Sequence, residues 1–88
     1  MAEENFDVPV TIETEHTGRH LTVTRVGQAA RLLTERWPKK DGPKHLAAIR
    51  SVMAVIQRRK PVAEARKAFA EAAKEADIFI REGHHFGS

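Results

Sequence analysis

Two prolines bracket the longest apolar-periodic stretch of the chain, PKHLAAIRSVMAVIQRRK from Pro43 to Lys60, and what it demands of its neighbours constrains the fold most. At about 100° per residue, a helix here gathers Leu46, Ile49, Val52, Met53 and Ile56 within roughly a third of its circumference. Ala48 and Val55 widen that stripe, while Lys44, Ser51 and Arg58 mark the opposite side. A helix this apolar is expected to be covered on more than one side, so it must be central. Asp41-Gly42-Pro43 reads as its start, because the N–H that proline lacks has no partner at the first helical position. Pro61 reads as its stop, since the ring blocks continuation. Arg58, Arg59 and Lys60 then stand where the helix dipole favours cations.

The segments on either side change period. Val8, Val10 and Ile12 alternate with polar positions, as do Leu21 and Val23, which predicts a β-hairpin. Thr17-Gly18 is the expected turn, with glycine supplying a positive φ. A two-residue loop there sets Ile12 opposite Val23 and keeps the apolar faces together. Pro9 lacks an amide donor, which predicts that the first strand is an edge, at least at that end. Thr24 is the expected cap of a helix from Arg25 to Trp37, buried through Val26, Ala29, Ala30, Leu33 and Trp37. Pro38 forces Trp37 out of helical geometry. A third helix begins near Pro61 and lines one side with Val62, Ala65, Phe69, Ala72 and Ala76. Continued to Arg81, it would carry Ile78 onto its polar face. Asp77 adopts the left-handed conformation readily. The helix is therefore expected to end there, with Ile78-Phe79-Ile80 a short strand whose two isoleucines share a face.

The fold class expected is α+β: a hairpin, three helices and a short third strand (ββαααβ), with the helices on one face of a small antiparallel sheet. One domain over 8–82 is expected, between a disordered tail at 1–7 and a loose tail at 83–88. With 88 residues and no cysteine, neither disulfides nor thiolate metal sites can staple the core. A chain this small often gains burial by dimerising. No run is long enough to span a membrane. The acidic start MAEENFD lacks the basic and apolar regions of a signal peptide, so a bacterial cytoplasmic protein is expected. The net charge of +3 hides an asymmetry: residues 19–60 hold eleven Lys/Arg against Glu35 and Asp41. That basic middle fits an anionic partner, and equally an acidic neighbour within the fold.

Taken as a set, Ala29-Ala30, Leu33, Trp37-Pro38, Gly42, His45 and Ala48, then Ala65-Arg66-x-Ala68-Phe69, Ala72-Ala73, Glu75-Ala76 and Ile78, resemble a small bacterial family, the domain of unknown function 982. The resemblance spans roughly residues 8–80. It implies a small α+β domain and no established activity. The family often has glycine where Asp77 stands, in keeping with a helix terminus. It often has cysteine where this chain has Val52 and Met53, so no thiol role is implied here.

Candidate chemistry is sparse. His45, on the first turn of the central helix, pairs with Trp37 as a pocket residue or, more plainly, as a residue that fixes the Trp37–Gly42 loop. No catalytic constellation surrounds it, so no catalytic residue is expected and an enzyme is the least favoured class. Arg36, Lys39, Lys40 and Lys44 surround a helix N-terminus, which makes them candidates for holding an anion. Solvated lysines are the plainer role. His16, His20, His84 and His85 lack structural zinc spacing, and neither a metal nor a cofactor is expected. The function expected is a non-enzymatic interaction or regulatory module acting as a homodimer through the alanine-rich third helix or a sheet edge. The alternative is weak nucleic-acid or phosphate-ligand binding through the basic loop.

Overall fold

In the computed structural model, which describes residues 5–13, 19–38 and 40–83, alternation produces strands and the longer period produces helices. The order is β1 (Asn5–Glu13), β2 (His20–Arg25), α1 (Val26–Glu35), α2 (Pro43–Ile56), α3 (Val62–Glu75) and β3 (Phe79–Glu82). The three strands form one antiparallel sheet in the order β2-β1-β3. Its inner face presents Val10, Ile12 and Val23, all buried, to the helices. Among the described residues, no helix is long and apolar enough to cross a membrane.

Several expectations need correction. β1 is the central strand, not an edge. Pro9 is tolerated because the β1–β2 register shifts between Asn5 and Val10, where a ladder bond is not required of it. Its carbonyl accepts from Gly83 N–H at 2.8 Å. β1 also starts at Asn5 and buries Phe6, so residues 5–7 belong to the sheet and not to the tail expected over 1–7. Ile12 pairs with Leu21, and Val10 with Val23, a slip of two from the expected register. A slip of two preserves the faces, which is why the apolar pattern survived the error. The Thr17-Gly18 turn lies outside the described residues. Thr24 does not cap α1: Arg25 is the N-cap, and Gln28 Oε1 accepts from Thr24 N–H at 3.1 Å.

The ends of α2 and α3 share one construction. After each, a residue turns left-handed, Arg58 at φ 63° and Asp77 at φ 64°. The next N–H reaches back into the helix, Arg59 to Ala54 O at 2.8 Å and Ile78 to Ala73 O at 2.9 Å. This Schellman closure satisfies carbonyls that a helix end leaves bare. Asp77 therefore ends α3 as expected, but α2 stops at Ile56, before Pro61 can act. β3 follows with a register shift between Thr11 and Ile12. That shift turns Phe79, with Ile78, toward the core in place of the expected isoleucine pair.

Four of the six alanines of α3 are almost fully buried, Ala65, Ala70, Ala72 and Ala73, and Ala63 and Ala68 are half-buried. Their small side chains let α3 lie close against α2, so this surface is used within the monomer. Arg66, in mid-α3, ties the helix to the sheet. Its guanidinium bonds both Asp7 carboxylate oxygens at 3.2 Å and also the Glu82 carboxylate. α2 is rotated from expectation. Its inner side is His45, Ala48, Val52 and Val55, all buried. Leu46, Met53 and Ile56, expected in the core, are 48%, 44% and 48% exposed. The apolar arc is wider than the contact that α1 and α3 provide, and only half of it is covered.

Candidate functional site

Where α1, α2 and α3 converge, each helix end is finished by a side chain from the next helix. The Leu33 carbonyl, in the last turn of α1, meets His45 Nε2 at 2.7 Å. A carbonyl can only accept, so Nε2 carries the proton. The backbone N–H groups of Lys44 and His45, in the first turn of α2, donate to Glu75 Oε2 and Oε1, each at 3.2 Å. Glu75 comes from the last residue of α3. Its carboxylate meets the positive end of the α2 dipole, which side-chain caps normally supply locally and which Gly42 cannot. Gly42 instead makes room: a Cβ there would lie 2.0 Å from Glu75 Oε1. Trp37, buried in the loop after α1, stacks on the His45 ring with centroids 6.2 Å apart. It also meets Phe69 at 5.4 Å, and Phe69 meets Phe6 at 5.9 Å. Trp37 Nε1 is buried and has no hydrogen-bond partner among the described residues.

This corner fixes structure. The His45 imidazole is hydrogen-bonded to the Leu33 carbonyl in α1 rather than to the Trp37–Gly42 loop, and it meets that loop only by stacking on the Trp37 ring. Among the described residues, no group of three or more His, Cys, Asp and Glu side chains stands together as a metal site. His20 is exposed, and His16, His84 and His85 lie outside the described residues. Of the anion-binding candidates, Lys40 and Lys44 are directed to separate partners or to solvent. The helix N-terminus they were to share is filled by Glu75. Lys40 Nζ turns back to the Thr34 carbonyl at 3.4 Å, Arg36 and Lys44 are exposed, and Lys39 lies outside the described residues. Glu75 was missed as a functional position. It belongs to the quoted motif, but its partners lie some thirty residues away in sequence, and no local pattern announces a cap supplied from that distance.

The other feature is the outer side of α2. Leu46, Ile49, Met53 and Ile56 follow one another at spacings of three, four and three residues. Ile49 is half-buried against the core, and the other three are exposed. At the N-terminal end the stripe runs into a depression of about 440 Å³ lined by Lys40, Asp41, Gly42, Pro43, His45, Leu46 and Ile49. A wider, polar depression of about 660 Å³ lies between β2 and the start of α1, lined by Thr22, Thr24, Arg25, Gly27, Gln28 and Arg31.

Comparison with curated proteins and with solved structures gave no match. A family profile described as a protein of unknown function (DUF982) matches residues 8–80. That span takes in β1 from Val8, all three helices and the start of β3, so the corner and the α2 stripe both lie inside it. The chain belongs to the DUF982 family.

Proposed function

We propose that the chain is a protein-interaction module, without chemistry of its own, that works as a homodimer through the outer side of α2. The observation that carries this reading is the exposure of Leu46, Met53 and Ile56 on one side of a helix whose other side is core. Scattered surface leucines need no explanation, but three large apolar side chains in one row form a patch of the kind that marks an interface. The spacing is that of a helix seam meant for another helix. The alanine-rich face of α3 does not serve, because it is covered within the monomer. The phosphate-binding alternative loses its main support, because the N–H groups it needs are held by Glu75. Size-exclusion chromatography with light scattering tests the reading. The unmodified chain is expected to gain mass with concentration, and Ile56→Glu to remain at 9.9 kDa. An unmodified chain that holds the monomer mass into the millimolar range overturns it.

A further inference from the structure

We infer that the outer edge of β2 takes an extended acidic segment of a partner protein, which adds a strand to the sheet and lays its carboxylates against Arg25 and Arg31. The inference uses a different surface from the homodimer reading and does not depend on it.

The direction of the backbone at this edge follows from the other side of the sheet. Glu13 N–H donates to the Ile78 carbonyl at 2.7 Å, and the Pro9 carbonyl accepts from Gly83 N–H at 2.8 Å. Odd-numbered residues of β1 therefore bond toward β3. Val10 and Ile12 bond toward β2, where they face Val23 and Leu21. By the same alternation, the N–H and C=O groups of His20, Thr22 and Thr24 point away from β1. The strand order puts no further strand on that side. Thr24 N–H is already held by Gln28 Oε1 at 3.1 Å, so an incoming strand pairs with Thr22 and His20, both exposed.

The two edges of the sheet differ in protection. β3 is four residues long, ends in Arg81 and Glu82 and has a shifted register, all features that keep a second chain off an edge. From His20 to Thr24, β2 has no proline, Lys, Arg, Asp or Glu. An added strand repeats the two faces of β2. Its residue opposite Leu21 lies on the inner face, where Leu21 is half-buried against the core, and an apolar side chain suits it. Its residue opposite Thr22 lies on the outer face. There the depression of about 660 Å³ opens, and Thr22 and Thr24 share its wall with Gln28, Arg25 and Arg31 and with no acidic residue. Arg31 makes an exposed pair with Glu35 at 3.8 Å, which an incoming carboxylate replaces at little cost. The matching ligand is thus a peptide that alternates apolar and acidic residues. A nucleic acid would satisfy the arginines but has no peptide backbone to pair with Thr22.

The probe is a short labelled peptide of alternating Val and Glu, blocked at both ends, with a Val–Lys peptide and a single-stranded oligothymidylate as controls. Fluorescence anisotropy is expected to show saturable binding of the Val–Glu peptide, with the amide NMR signals of His20 and Thr22 moving as it binds. Thr22→Pro removes the edge N–H where a sheet tolerates proline, and is expected to weaken binding about tenfold with the circular dichroism of the domain retained. Arg31→Glu, at an exposed position, is expected to weaken it by about as much, and keeps the test decisive if Thr22→Pro fails to fold. Unchanged affinity in Arg31→Glu, equal binding of the Val–Lys peptide, or no binding into the millimolar range overturns the inference. Preference for the oligothymidylate would mark a phosphate surface, and movement of His20 and Thr22 on concentrating the chain alone would mark a second copy at this edge; either result overturns it.

Discussion

Val52 and Met53 are neighbours in sequence and both strongly apolar, yet Val52 is fully buried and Met53 is 44% exposed. The difference lies in what stands opposite each. Inward, α2 meets the alanines of α3 and the end of α1, and its first N–H groups meet Glu75. Outward, among the described residues, nothing buries Leu46, Met53 and Ile56, which stay about half exposed. Apolar content fixes how much surface a helix needs covered, and the neighbouring elements decide which part the monomer covers. The inner side holds the domain together, and the outer side stays about half exposed in the monomer.

The sharpest way to break this comparison is one charge on each side. Val52→Asp buries a carboxylate without a partner, at several kcal/mol, enough to unfold a domain whose total stability is about 5–15 kcal/mol. Met53→Asp should alter monomer stability by less than about 1 kcal/mol. Urea unfolding followed by circular dichroism distinguishes them, and similar losses from both would show that the two sides are alike. The corner comes next. Glu75→Ala removes two charge-assisted bonds to the α2 N-terminus and should cost about 1–2 kcal/mol. Gly42→Ala pushes the same carboxylate aside and should cost a similar amount. The double variant should cost clearly less than the sum, because both changes remove one interaction.

Smaller effects test the helix ends and the sheet tie. Arg58 holds a left-handed conformation that glycine adopts without strain. Arg58→Gly is expected to stabilise by about 1 kcal/mol, read as a raised urea midpoint. Asp77→Gly should stabilise less, since aspartate tolerates this conformation better. The Arg66 guanidinium, hydrogen-bonded to Asp7, holds that carboxyl below its ordinary range. A carboxyl whose folded pKa is depressed contributes stability above its unfolded value and loses it as pH falls toward the folded one. Stability should therefore decline below about pH 4, and Asp7→Asn should flatten that part of the profile.

The parts of this fold that were legible in the sequence are those set locally. Period-two alternation placed β1 and β2, Pro43 placed the start of α2, and Asp77 placed the end of α3. What stayed hidden depends on distance. The two-residue slip between β1 and β2 leaves every side chain on its own face, so parity could not reveal it. Pro9 reads as an edge residue until the bulge that accommodates it is seen. The apolar arc of α2 reads as that of a central helix, yet α2 packs against α1 and α3 and not on the sheet, and it is α3 that touches both the sheet and the other helices. Of the corner, Trp37 and His45 could be paired from the sequence, though not the bond from His45 to α1, whereas Glu75 stood only within the family resemblance with no role attached.

The most direct test of the two-sided account of α2 is a dilution series followed by methyl NMR. As concentration rises, the methyl signals of Leu46, Ile49, Met53 and Ile56 should shift or broaden together, while those of Val10, Val23 and Val26 in the core stay fixed. Signals from the outer side of α2 that never move, or movement confined to the strands at the sheet edges, would contradict it.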